Sequence, residues 1–163
     1  MDVTMIGFMK GDYDVGLYST AVKVLNIVSS LTGSLFWAFL PQFSLAFENG
    51  DYDTINNLIS KGASITFYLI IPAAVGMYVL SDEIVLIVGG TEYIEASTCL
   101  RILCFKFFIA ALTNVTGNMV LLASGRENQF TLSCCIAVII NFIINYYLIP
   151  MYGINGASIA TII

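Results

Sequence analysis

The sequence predicts an all-α protein, a polytopic bundle of transmembrane helices, and three observations carry that prediction. First, from Leu17 to Ile163 the chain is almost continuously apolar, and four stretches are long enough to cross a bilayer: Leu17–Phe47, Gly62–Leu80, Ala96–Ala123 and Phe130–Ile149. A spanning helix needs about 20 predominantly apolar residues. Second, the chain is 58% hydrophobic and 10% charged, with a mean hydropathy of +0.89, whereas soluble domains carry about 25% charged residues. Third, the runs are too long and continuous for barrel strands, and only helices or closed barrels satisfy every backbone N–H and C=O in hydrocarbon.

The elements follow in order. Met1–Lys10 reads as a helix end, and Gly11–Gly16 (GDYDVG) as a tight polar turn. Leu17–Phe47 is one long helix, about 45 Å at 1.5 Å per residue, tilted or extending past the membrane. Pro41 should bend it near its end. Glu48–Asn57 is a polar loop, and Gly62–Leu80 is the second span, in which Pro72 removes a backbone hydrogen bond and should introduce a kink. Asp82–Gly89 is too short to span and reads as an interfacial or re-entrant helix that stops at Gly89-Gly90. Ala96–Ala123 and Phe130–Ile149 are the third and fourth spans. Pro150–Gly153 is a turn, and Ile154 begins another helix. Short loops make successive helices antiparallel. With no linker, low-complexity tract or charge block, residues 1–163 read as one helical bundle of four complete and two partial membrane helices, part of a longer protein.

Basic residues favour the cytoplasmic side and acids contribute little to orientation. Lys61 and Arg126 therefore place the Glu48–Lys61 and Gly125–Gln129 loops inside. Ser81–Ser97, with four acids and no Lys or Arg, falls outside, although Lys10 on that side counts against the assignment. Cys99, Cys104, Cys134 and Cys135 lie within or at the edges of spans and read as small buried hydrophobes. No cysteine pair has metal-site spacing and the chain has no histidine, so no metal is expected.

Polar residues inside the spans are the candidate functional groups. In the first span Ser19, Lys23, Asn26, Ser30, Gly33, Ser34 and Trp37 share one helical face, opposite Val24, Val28, Leu31, Leu35 and Phe39. A lipid-surrounded helix needs no polar face, so this stripe looks at protein or water. Small residues there suit close helix packing. Lys23 either lines a cavity or snorkels to the interface, since a cation at bilayer depth costs on the order of 2.5–3.5 kcal/mol. In the third span Lys106, Thr113, Gly117 and Ser124 share a face. Arg101 lies about 140° away around that helix, nearer the headgroups. Asn141 and Asn145 form an i, i+4 pair in the fourth span, suited to interhelical hydrogen bonding. Lys23, Asn26, Lys106, Arg101, Asn141 and Asn145 are thus the substrate-pathway candidates. Cations outnumber acids in the spans, with Asp2 a possible exception, and that balance suits an anionic cargo group such as a diphosphate. The usual acid/base and nucleophile constellations are absent, which argues against an enzyme.

Four signatures then appear in order: an Asp before an apolar helix end leading into VGLYSTAVKV and FLPQFS; IIPAAVGMYVLSDEIVLIVGGTEY; GNMVLLASGREN; and IPMYGINGASIAT. Together they resemble the C-terminal half of bacterial polysaccharide flippases of the multidrug/oligosaccharidyl-lipid/polysaccharide exporter superfamily. The resemblance implies one half of a MATE-like fold in the bacterial inner membrane. It also implies translocation of undecaprenyl-diphosphate-linked oligosaccharide by alternating access, with the other half of the protein and membrane lipids as partners and no cofactor or nucleic acid. Lys23 matches a basic position that follows Gly16, Tyr18 and Ala21 in that pattern. Alternatives stay open: a lipid II flippase or a cation-coupled multidrug exporter of the same superfamily, a membrane-embedded polysaccharide polymerase, or a non-transporting scaffold.

Overall fold

The computed structural model describes residues 1–113 and 127–162, and within them all side chains except those of 31–40, 111, 112 and 127. Among the described residues every regular element is helical. The order is α1 (Asp2–Met9), α2 (Asp12–Glu48), α3 (Tyr52–Val79), α4 (Ser81–Gly89), a 3-10 turn (Thr91–Tyr93), α5 (Ala96–Leu103), α6 (Lys106–Thr113) and α7 (Glu127–Ile162). Two of these are long and apolar enough to cross a membrane, Tyr52–Val79 and Asn128–Ile162. Only 28% and 11% of their apolar windows are buried. A soluble protein would cover such faces, so this exposure fits a lipid surround.

Several boundaries differ from the sequence expectation. The predicted Gly11–Gly16 turn shrinks to Lys10–Gly11, because Gly11 adopts φ 107 and lets α2 begin at Asp12. The predicted Glu48–Asn57 loop is largely helix: the turn is Asn49–Asp51, and α3 begins at Tyr52. Asp51 caps it, accepting from the Thr54 backbone N–H at 3.0 Å and from the Thr54 hydroxyl at 2.6 Å. These bonds hold the Asp51 carboxyl below its ordinary range. Helix continues through Pro41 and Pro72. The described part of the third span is two helices, α5 and α6, broken at Cys104 and Phe105. There the amides of Phe105, Phe107 and Phe108 bond to carbonyls three residues back rather than four. This tightening turns Phe107 into the core and leaves Phe105 facing outward. The rest of that span, with Gly117 and Ser124, and most of the Gly125–Gln129 loop lie outside the described residues. So do the side chains of Gly33, Ser34 and Trp37.

α4 ends where expected, at Gly90 with φ 79. The break after Pro150 is also found, centred on Gly153 (φ 58, ψ −134). The 154–162 arm folds back along the preceding arm, and the Asn141 side-chain amide donates to the Ala160 carbonyl at 3.0 Å. The reversal needs Gly156, because a Cβ there would run into the Leu148 carbonyl.

Two contacts gather the turns at one end of the bundle. Lys10 Nζ donates to the Pro150 carbonyl at 3.2 Å, and Tyr13 Oη to the Glu92 carbonyl at 3.1 Å. From that end α2 carries the chain roughly 55 Å to the Asn49–Asp51 turn. α5 packs between α2, α4 and α7 and buries Ala96, Cys99, Leu100 and Leu103. One apolar core joins these residues to Ile6, Leu17 and Ile149.

Candidate functional site

The six pathway candidates fall into three places. Arg101 sits at the α4–α5 corner. Its Nε donates to Ser81 Oγ at 2.6 Å and its Nη2 to Asp82 Oδ2 at 2.7 Å, so its charge is matched locally and ties α4 to α5.

Lys23, Asn26 and Lys106 belong to the α2–α6 side. Asn26, Ser29 and Lys106 line one small cavity with Leu25, Phe107 and Ala110. Its volume is about 40 Å³, room for a water or two and not for a diphosphate. Lys23 and Asn26 are exposed, while Val24 and Leu25 between them are buried. Lys23, Asn26 and Ser30 of the α2 stripe therefore point away from this core, where the sequence argument expects the stripe to look at protein or water. Among the described residues neither Lys23 nor Lys106 has an ion-pair partner.

Asn141 and Asn145 take part in a different arrangement, joined by Asp2, Tyr18 and Thr161. Asn145 is fully buried. Its Nδ2 donates to Asp2 Oδ1 at 2.9 Å and to Asn141 Oδ1 at 3.0 Å. Tyr18 Oη donates to Asp2 Oδ2 at 3.1 Å. Thr161 Oγ1 lies 2.9 Å from the same oxygen, 3.2 Å from Tyr18 Oη and 2.8 Å from the Ala157 carbonyl. Asp2 and Asn145 each lie eight residues from the turns that share one end of the bundle, about 12 Å at helical rise. Buried polar groups inside apolar membrane helices mark a functional site by default.

Counting protons shows what this network can do. Tyr18, Asp2, Thr161 and the Ala157 carbonyl make four oxygen–oxygen contacts. With Asp2 ionised, only the two hydroxyl protons are there to fill them. A small cation among these oxygens would relieve the two contacts that the hydroxyl protons leave unfilled. Asn145 Oδ1 is buried without a hydrogen-bond partner, one more acceptor than the donors supply. One carboxylate with amide, hydroxyl and carbonyl oxygens is a donor set for a hard cation. Among the described residues no three His, Cys, Asp or Glu side chains come together, so a transition-metal centre does not fit. Beside the network a cavity of about 650 Å³ opens between Asp2, Asn141, Thr161, Ser133 and apolar residues of α6 and α7.

The sequence argument named Asn141 and Asn145, noted Asp2, and missed Tyr18 and Thr161. A tyrosine and a threonine in apolar helices have no periodicity to set them apart. The signal was in the motifs: the Asp before the first helix end, the Tyr of VGLYSTAVKV and the last Thr of INGASIAT meet at one point in space.

The comparisons agree with those motifs. A family profile, the lipid II flippase MurJ, matches residues 15–163. The chain belongs to the MurJ lipid II flippase family. It is 33% identical over 99% of its length to the probable low-salt glycan biosynthesis flippase Agl15 of Haloferax volcanii, covering 34% of that protein. It is 28% identical over 85% of its length to the lipid II flippase MurJ of Bacillus subtilis, covering 26% of it. It is 24% identical over 91% of its length to the capsular polysaccharide biosynthesis protein CapF of Staphylococcus aureus, covering 37% of it. The chain thus spans about a third of the length of the curated relatives it matches. No solved structure matches it. Membership makes this a membrane protein of a flippase family, a family of transporters rather than enzymes.

Proposed function

We propose that the full-length protein moves a lipid-linked oligosaccharide across the cytoplasmic membrane, carried on undecaprenyl diphosphate, for surface glycan biosynthesis. In this reading the chain is one helical bundle of several membrane crossings and one half of a MATE-like fold. The observation that carries it is the polar face of α2, on which Lys23 and Asn26 are exposed and Asn26 shares a cavity with Lys106. Cations without ion-pair partners at that depth are costly unless a water-filled path or an anionic group meets them. A phosphate-bearing cargo supplies such a group. The names of Agl15 and CapF, which mention glycan and capsular polysaccharide, support this cargo class. The small cavity holds no diphosphate, so the cations act from its open rim or after the helices part.

A lipid II cargo is the second reading, favoured by the family match. It shares the same chemistry, a sugar on an anionic lipid. For either cargo, cation binding at the Asp2 network supplies a means of coupling, because it changes bonds among α1, α2 and both arms of α7. Proteoliposomes containing the full-length protein test the reading. Labelled lipid-linked oligosaccharide, and lipid II in parallel, should become accessible to an external sugar-modifying enzyme faster than in empty vesicles. Equal rates with and without protein for both lipids would sink the proposal. In the proposed orientation, with the Glu48–Lys61 segment cytoplasmic, a cysteine introduced at the exposed Thr91 should react with impermeant reagent from outside. Reaction only from the cytoplasm would invert the topology.

A further inference from the structure

A second feature lies away from both polar regions. Where α3 meets the α5–α6 break, a groove of about 260 Å³ is lined by Ala74, Val75, Tyr78, Cys104, Phe105 and Phe108. Ala74 and Cys104 are buried and form its floor; the other four are exposed and form its walls. Tyr78 and Phe105 meet edge to face, with ring centroids 6.5 Å apart. The groove exists because the backbone tightens at Phe105 and Phe108, opening a channel over the small Cys104 side chain. On a membrane protein such a wholly apolar slot is a place for a hydrocarbon chain.

What lies at its end selects the headgroup. Arg101 is one helical turn before Phe105, and Ser81 and Asp82 follow Tyr78 within four residues. The guanidinium uses Nε and Nη2 on those two residues, leaving Nη1 without a protein partner among the described residues. Its side chain and that of Asp82 are 38% and 51% exposed. A guanidinium N–H next to an exposed carboxylate complements a headgroup that carries both a phosphate and an ammonium. An anionic headgroup without an amine would meet Asp82 as a like charge. Tyrosine at this position also suits the headgroup boundary.

We infer that this groove and the Arg101–Asp82 pair at its end hold one zwitterionic aminophospholipid of the bilayer, acyl chain in the slot, phosphate on Arg101 and amine on Asp82. Binding there braces the α5–α6 break against α3. It is separate from the α2–α6 cavity and from the Asp2 network, with which it shares no residue.

The test is native mass spectrometry of the full-length protein released from nanodiscs of equimolar phosphatidylethanolamine and phosphatidylglycerol. Phosphatidylethanolamine should be retained preferentially, by about threefold, the size of one exposed charge-assisted contact. Arg101→Gln should bring the ratio to near one. Ala74→Phe, which fills the slot, should lower total retention. Phe108→Ala removes an exposed wall without disturbing the buried floor, and should lower retention as well if Ala74→Phe fails to fold. Preference for phosphatidylglycerol, equal retention by the unmodified protein, or retention undiminished by Phe108→Ala would each overturn the assignment.

Discussion

The α1–α2–α7 junction and the α2–α6 side both place polar groups inside apolar helices, and they do so in opposite ways. At the junction Asp2 accepts from Asn145, Tyr18 and Thr161, and every partner comes from a different helix or helix arm. On the α2–α6 side Lys23 and Lys106 have no ion-pair partner among the described residues. Buried polar groups that bond one another across helices hold a fold together and are costly to disturb. The difference teaches that the two asparagine-bearing regions, alike in sequence, separate into a hydrogen-bonded helix junction and a face whose lysines have no ion-pair partner among the described residues.

The comparison breaks most sharply at Asp2. Asp2→Leu removes three acceptor contacts and strands the Asn145 amide. At roughly 0.6–1.7 kcal/mol for each interhelical bond in a membrane, the full-length protein should lose about 2–4 kcal/mol of stability, read as a lower melting temperature in detergent. Asp2→Asn should recover part of it while abolishing any dependence of stability on added sodium. Unchanged melting of Asp2→Leu would show that the junction is not held by this network.

Gly156→Ala tests the same junction through its backbone. The added methyl meets the Leu148 carbonyl, so the two arms of α7 must separate, at a cost of about 1–3 kcal/mol by analogy with overpacked cores. The expected signature is easier proteolysis near Gly153 together with a lowered melting temperature.

The α2–α6 side should behave in the opposite sense. The Lys23→Ala, Lys106→Ala double variant should fold and insert normally yet lower glycan export on the order of tenfold, equivalent to about 1.4 kcal/mol. Arginine at either position should retain part of the activity, because charge is kept while geometry changes. Export measured against membrane abundance decides it, and unchanged export would leave both lysines as interface anchors.

The smallest effect belongs to the helix end. Asp51→Ala should lower stability slightly through loss of the α3 cap. Because the folded carboxyl titrates below its unfolded value, the cap contributes fully above the unfolded carboxylate pKa. That contribution is lost as pH falls through the lower folded value. A difference between Asp51→Ala and the unmodified protein that persisted unchanged into strong acid would contradict the capping role.

Helix class, the position of α4 and the reversal near Gly153 were legible in the sequence. Each follows from a local rule, apolar length or glycine at positive φ. Boundaries were less legible where one side chain overrode composition. The hydrophilic stretch after Glu48 looked like loop until Asp51 capped it, and the run from Ala96 looked continuous until its phenylalanines were placed. The site divided along the same line. Sequence alone could find charged and amide groups in apolar runs, because their cost in hydrocarbon is a property of each residue. It could not say that Arg101 is matched by Asp82, that Lys106 shares a cavity with Asn26, or that Tyr18 and Thr161 close on Asp2. Those pairings join residues between 16 and 159 positions apart. Whether a buried polar group is satisfied depends on what another helix brings to it, and only the tertiary structure decides that.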